Sequence, residues 1–297
     1  MSSPIPSVPD VRLVVTDLDG TLLDERGRVP DGLWPLLERL HERGIVFAPA
    51  SGRQYASLAR SFTRPGSAAA ARLTYIAENG SHVVRDGVEV ASVTLAPAVV
   101  REAVRLLRAV AVRGHDLGVV VCGKQAAYVE RTDEAFLRHV RPYYAALREV
   151  EDLDAVVDGA AGEGADEVVK VAAFSFASGA ELAPELADLA AQQRVVVSGQ
   201  HWVDVMAPQA NKGVAVAALQ AELGVTREQT VAFGDYLNDL EMLDAAAHSF
   251  AMADAHPEVL ARARHVAPSH REQGVVRTLE ALLDASTTPS SPGGLAG

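Results

Sequence analysis

At 297 residues the chain is long for one domain and comfortable for two. Its 48% hydrophobic and 22% charged residues are the balance of a globular protein able to bury a sizeable core. A formal net charge of -12 argues against a nucleic-acid backbone or an anionic membrane as the main partner, yet leaves room for a small anion held by one local cation and a metal. The single cysteine, Cys122, excludes an internal disulfide, residues 1–10 lack the basic and apolar regions of a signal peptide, and no apolar run reaches the roughly 18 residues of a membrane span, so a cytoplasmic protein is expected.

In chain order, residues 11–16 (VRLVVT) are a short β-branched apolar run ending in acidic residues, the pattern of a buried strand. Leu36, Leu37 and Leu40 give 33–43 helical spacing, and Gly44 stops that helix. A strand follows at 45–48 (IVFA), a short helix at 55–62 and a strand at 73–77 (LTYIA). The middle of the chain differs. Residues 82–95 resemble a hairpin with Asp86-Gly87 at its turn. After it come a helix near 99–110, strands near 119–122 and 126–129, a helix near 133–140, a Gly- and Ala-rich loop at 159–165, a strand at 168–174, a helix at 183–193 and a strand at 195–198. Alternation then resumes: helix 213–223 closed by Gly224, strand 230–233 (TVAF), helix 239–246, strand 249–252, helix 257–264 and helix 274–283.

Strands alternating with helices of this length imply an α/β fold, a doubly wound and mainly parallel sheet with helices on both faces. The middle reads as an α+β segment inserted between the two halves. The expected division is a first core half at 1–95, an inserted domain at 96–203, a second core half at 204–285 and a small, polar, disordered tail at 286–297. Hinges are expected near 95–97 and 203–208.

Four loops carry candidate chemistry. Asp17-Leu18-Asp19-Gly20-Thr21 follows the first strand, so two carboxylates sit at a strand's carboxyl end, where open α/β sheets bind ligands. One carboxylate of such a pair can attack phosphorus while the other moves the proton. D-x-D-G also resembles a calcium loop, but the position that should hold the closing Glu is Arg28. Ser51-Gly52-Arg53 puts a hydroxyl and a glycine ahead of a helix, a possible anion cradle and also a common turn. Lys212 opens a helix and offers a charge for phosphate oxygens, although most lysines are simply solvated. Gly234-Asp235-Tyr236-Leu237-Asn238-Asp239 clusters three oxygen-bearing side chains after another strand, a set that suits Mg²⁺ or merely caps the next helix. The order of the four, each at a strand end or helix start, gives weight that none has alone.

This constellation resembles the haloacid dehalogenase superfamily, most of all its Cof-type branch, in which a large α/β cap is inserted between the second and third motifs. The resemblance runs from about Val11 to Leu283 and rests on Asp17 to Leu23, Ser51-Gly52-Arg53, Glu78-Asn79-Gly80, Lys212-Gly213 and Gly234-Asp235 to Asn238-Asp239. It implies a Rossmann-like core with a cap, and a Mg²⁺-dependent phosphatase working through an aspartyl-phosphate on small phosphorylated metabolites, sugar phosphates first. It makes Asp17 the nucleophile and a metal ligand, and Asp19 the general acid/base with its backbone carbonyl on the metal. Leu18, Ser51 and Gly52 would hold the phosphoryl group, Lys212 would bridge nucleophile and phosphate, Asp235 would bind metal, Asn238 would contact phosphate or metal-bound water, and Asp239 would support the metal shell. The physics agrees: a carboxylate attacking a dianion needs its repulsion cancelled by Mg²⁺ and Lys212. The branch commonly has Asn where this chain has Asp254, and Thr where it has Ser51. A phosphomutase of similar architecture is the competing expectation, and a non-catalytic phosphometabolite-binding regulator is a further one that the full acid set opposes. No nucleic-acid or membrane partner is expected, and the chain is expected to be a monomer or small homo-oligomer.

Other features read as structural. Cys122 lies in an apolar run, Phe174 and Phe176 share a strand face, and His201 and Trp202 read as packing or as part of a substrate rim. No histidine or cysteine pair has metal-ligand spacing, and the Gly-rich loop at 159–164 follows no clear strand, so it reads as a flexible loop.

Overall fold

The computed structural model describes residues 10–159 and 166–285, so the expected tail at 286–297 and residues 160–165 of the Gly-rich loop lie outside the described residues. Two compact units are formed. The first takes residues 10–49, Arg64–Leu73 and 220–285; the second takes Ala50–Thr63 and Thr74–Leu219. These bounds do not coincide with the division expected from sequence, because the second unit also takes in much of the expected first core half.

The first unit holds a five-stranded sheet in the order His265–Ala267, His248–Met252, Thr230–Gly234, Leu13–Thr16, Val46–Pro49. Every pairing in it is parallel. Leu13, Val14, Val15, Val231, Ala232 and Phe233 are fully buried, as strands of a sheet covered on both faces must be. From Leu13–Thr16 the chain steps to Val46–Pro49 on one side, and later to Thr230–Gly234 and its two successors on the other. The winding therefore reverses between Leu13–Thr16 and Thr230–Gly234, the place where such sheets open a crevice for ligands.

Helix Leu33–Glu42 buries Leu33, Leu36, Leu37 and Leu40. It ends as the sequence implies: Gly44 adopts φ +68°, Ile45 N–H donates to Leu40 O at 2.9 Å and Gly44 N–H to His41 O at 2.9 Å, a Schellman cap. Helix Gly274–Ala285 packs beside it, and Arg43 Nη1 donates to Leu283 O at 2.9 Å.

The second unit holds two sheets. One is an antiparallel three-stranded sheet of Thr74–Ala77, His82–Arg85 and Val88–Ser92. The expected hairpin turn is there, with Asp86 at φ +53° and Gly87 at φ +75°, the doubly left-handed turn that Asp-Gly favours. The other has six strands in the order Arg194–Val197, Trp202–Met206, Val168–Ser175, Leu117–Gly123, Ala127–Val129, Leu147–Glu149, antiparallel except for the last pair. Helix Pro97–Val112 buries Val100, Ala103, Val104, Leu107 and Val110 in one cluster with residues of this sheet. A second cluster gathers Phe136 and Val140 of helix Glu134–Val140 with Cys122, Tyr144 and Phe174. Gly118 is needed there, since a Cβ would come within 2.2 Å of the Phe136 ring.

The structure corrects one expectation and adds elements that the sequence pattern does not single out. The helix expected at 183–193 is broken into Gly179–Leu182, a 3-10 turn at Ala183–Leu186 and Ala187–Ala190, with Pro184 in the tight middle turn, where it has no N–H to give. Residues Trp202–Met206, which overlap the expected hinge near 203–208, form a strand paired on both sides. Strand Leu147–Glu149 and helix Leu153–Gly159 are additional. Cys122 and Phe174 are core, as expected, and the Trp202 ring packs at 5.2 Å from Phe174 and 5.6 Å from Tyr143. Among the described residues, no helix is long and apolar enough to cross a membrane.

Candidate active site

In the first unit, the strands that flank the reversal each end in an acidic loop. Asp17 N–H donates to Phe233 O at 2.9 Å, which carries the ladder one rung past Thr16 and fixes where Asp17 begins. Gly20 then turns the chain at φ +86°, and Leu23 N–H closes the turn on Leu18 O at 2.9 Å. A Cβ on Gly20 would lie 2.4 Å from Asp235 Oδ2, so only glycine allows the two loops to approach this closely. Thr21 Oγ1 donates to Asp235 Oδ1 at 2.7 Å and holds that carboxylate from the other side.

Asp239 is fully buried, and its Oδ2 accepts from the backbone N–H groups of Asp235 and Tyr236 at 3.0 and 3.1 Å. Gly234 makes room for it, since a Cβ there would meet the Asp239 side chain at 2.6 Å. The result is that Asp17, Asp235 and Asp239 each bring a carboxylate oxygen within 4.8 Å of the others. At that spacing, two unit charges in a medium of effective dielectric about 20 repel by about 3 kcal/mol. An all-oxygen donor set of few carboxylates fits Mg²⁺. Asp19 stands outside this group with an exposed side chain, and Asn238 lies half-buried in the turn Leu237–Asp239. Asp254 lies with its carboxylate 3.2 Å from His270 Nδ1.

In the second unit, Ser51-Gly52-Arg53 is clasped by the turn at Glu78-Asn79-Gly80. Ser51 N–H donates to Ile76 O at 2.9 Å, Asn79 N–H to Ser51 O at 2.9 Å and Glu78 N–H to Arg53 O at 3.1 Å. Arg53 N–H donates to Ser51 Oγ at 3.3 Å. The clasping turn takes three successive left-handed residues, with φ of +50°, +55° and +95°. Two of these are not glycine, a conformation that persists only where its surroundings hold it. At Gly80 a Cβ would lie 2.3 Å from Asn211 O, so the turn also seats the segment before Lys212. Lys212 is fully buried at the head of helix Lys212–Leu223, where Asn211 Oδ1 accepts from Val214 N–H at 2.9 Å.

The expected residues thus fall into two sets. Asp17, Leu18, Asp19, Asp235, Asn238 and Asp239 are in the first unit, with three of the carboxylates drawn together. Ser51, Gly52 and Lys212 are in the second, the first two in one clasped loop. Sequence reasoning gave no role to Thr21, Lys170 or Asp204. Lys170 and Asp204 did leave a signal, as single charges inside the apolar strands VVKVAAFS and WVDVM.

Fold and acid cluster together define a class, and sequence comparison bears it out: the profile of the haloacid dehalogenase-like hydrolases matches residues 14–279, so the chain belongs to that family. It is therefore an enzyme, a hydrolase of the Cof-type branch in which matched relatives are phosphatases. One relative is the 5-amino-6-(5-phospho-D-ribitylamino)uracil phosphatase YbjI of Escherichia coli (strain K12), 28% identical over 284 residues, covering 92% of this chain and 96% of that protein. Another is the HMP-PP phosphatase of Cronobacter sakazakii, 26% identical over 258 residues, covering 86% and 89%. The fold is shared with SMU.1108c of Streptococcus mutans UA159, at a TM-score of 0.78 and 24% identity over 92% of this chain and 99% of that one.

Proposed function

We propose that this chain is a Mg²⁺-dependent phosphatase that passes phosphate through an aspartyl-phosphate on Asp17, acting on small phosphorylated metabolites with sugar phosphates first. The observation that carries this reading is the convergence of Asp17, Asp235 and Asp239 at the reversal of the sheet. A Mg²⁺ ion held by these residues would supply the positive charge that offsets the repulsion between Asp17 and a phosphate dianion.

An Asp17 oxygen attacks phosphorus, and the bond from phosphorus to the leaving oxygen breaks. Asp19, exposed beside the turn that Gly20 makes, gives its proton to that oxygen. Asp19, now a carboxylate, takes a proton from water; the water oxygen attacks phosphorus, and the Asp17–phosphorus bond breaks. Asp17, Asp235 and Asp239 would hold the metal, with the Asp19 backbone carbonyl as a further ligand. The Leu18 backbone, Ser51 and Gly52 are assigned to the phosphoryl oxygens, Asn238 to phosphate or metal-bound water, and Lys212 to the charge between nucleophile and phosphate. Segment 96–203 is assigned the part of a cap that selects the leaving group. A cytoplasmic setting suits such substrates.

The test is release of inorganic phosphate from p-nitrophenyl phosphate with and without Mg²⁺, followed by a panel of phosphorylated metabolites. Turnover is expected to require the metal, and Asp17→Asn is expected to lower it by about ten-thousandfold or more. Unchanged turnover in Asp17→Asn defeats the nucleophile assignment. Isomerised sugar phosphate without phosphate release identifies a mutase instead.

A further inference from the structure

The second unit buries a charged triad that the reaction above does not use. Lys170, Glu78 and Asp204 are each at most 3% exposed. Lys170 Nζ lies 2.6 Å from Glu78 Oε2 and 3.4 Å from Asp204 Oδ2, and donates to the Gly52 carbonyl at 3.1 Å. The Gly52 carbonyl accepts a hydrogen bond from the ammonium, while the two carboxylates meet it as ion pairs. Among the described residues neither Glu78 oxygen finds a well-angled hydrogen bond, so Lys170 is its compensation. Burial pushes the Glu78 carboxyl up. Burial also pushes the Lys170 ammonium down, but Asp204 and Glu78 more than reverse this and hold it well above its usual range. Apolar residues would fill such a position at less cost than three ionisable groups. Their geometry indicates what they do there.

The Gly52–Arg53 peptide is trans and planar, so its C=O and N–H point in opposite directions. Lys170 holds the oxygen, which aims the hydrogen at Ser51 Oγ, 3.3 Å from Arg53 N. A serine hydroxyl that accepts on one lone pair still has its own proton to donate, and the acceptor contact sets the direction of that donation. The chain of contacts from ammonium to carbonyl to N–H to hydroxyl also polarises each member in the same sense. Asn79 braces the same loop: its Nδ2 is 3.4 Å from Asp204 Oδ2, and a Cβ on Gly52 would meet that Nδ2 at 3.0 Å.

We propose that Lys170, clamped by Glu78 and Asp204, is a positioning residue that sets the Ser51 hydroxyl toward a phosphate oxygen. The proposal rests on the phosphate-binding role assigned to Ser51 above.

The test uses the whole chain, with inorganic phosphate as a competitive inhibitor of p-nitrophenyl phosphate turnover. Lys170→Met is expected to raise the inhibition constant for phosphate by about tenfold, the worth of a hydrogen bond to a charged group. Lys170→Arg is expected to recover most of that loss. In a Ser51→Ala background the same Lys170→Met change is expected to add less than about twofold, because the two act through one path. Circular dichroism checks that each variant folds. If Lys170→Met does not fold, Asp204→Asn replaces it in the same cycle, with an expected loss of about threefold. A folded variant with an unchanged inhibition constant overturns the proposal, and so does a loss of equal size in both Ser51 backgrounds. A wild-type chain that releases no phosphate defeats the functional reading itself; an active wild type with additive variants defeats only this proposal.

Discussion

The molecule gathers carboxylates twice, and the two gatherings differ in the elements that carry them. In the first unit, Asp17, Asp235 and Asp239 meet on loops at strand ends. In the second, Glu78 and Asp204 meet around Lys170, which the chain supplies from the middle of a strand. A cation built into a strand is permanent and serves to fix geometry. A donor set on loops suits an ion that must also touch substrate. The two gatherings thus differ in setting, one on loops at strand ends and the other around a lysine inside a strand.

The largest expected effect tests the permanence of the second gathering. Lys170→Met leaves two acidic groups facing each other in the interior, and should lower unfolding free energy by about 3–5 kcal/mol in urea titration. The loss should persist across the neutral range: a lysine whose folded pKa is raised stabilises fully below its unfolded value near 10.4, and its contribution fades only as pH rises through the higher folded value. A loss well under about 1 kcal/mol would place the triad with ordinary surface pairs.

Gly20→Ala tests the close approach in the first gathering. The new methyl meets Asp235 and the backbone is left-handed there, so the two acidic loops must part. A displacement on this scale is expected to lower turnover by about a hundredfold with little change in KM for p-nitrophenyl phosphate. Retained activity would mean that the spacing of Asp17 and Asp235 is not critical.

A smaller effect separates the two gatherings directly. Mg²⁺ at ten times its dissociation constant should stabilise the wild-type chain by about 1.4 kcal/mol, seen as a rise in melting temperature, and should leave Asp235→Asn nearly unmoved. An equal rise in both proteins would place the ion elsewhere.

The smallest expected effect concerns His82, whose ring packs near Tyr55 and whose pKa burial lowers, against the pull of Glu89. Its folded pKa lies below the unfolded value of about 6.5, so its share of stability is complete above that pH and is lost as pH falls through the lower, folded value. His82→Gln should flatten the acid side of the melting curve by that share. An unchanged acid limb would show that His82 is not one of the groups that set it.

Much of the arrangement was legible because local chemistry dictated it. Gly44 ended its helix in the left-handed cap that glycine favours, and Asp86-Gly87 made the turn that pair prefers. The acidic loops declared themselves by standing after short apolar strands. Strand Trp202–Met206 is hard to see locally because Asp204 interrupts its apolar run; the pairing on both sides makes it a strand. The helix expected at 183–193 has helical composition, yet the segment is broken at Leu186, whose φ of -104° and ψ of 18° leave the helical range. The triad was not legible, since nothing local tells that Lys170, Glu78 and Asp204 meet, and long-range side-chain partners leave no period in a sequence.

Thr21 and Asp235 lie 214 residues apart in the chain yet share one hydrogen bond. A polypeptide made from its amino terminus therefore carries the first acidic loop through most of its synthesis before the second exists. The three-carboxylate cluster is therefore completed only when the Thr230–Gly234 strand slots in beside Leu13–Thr16.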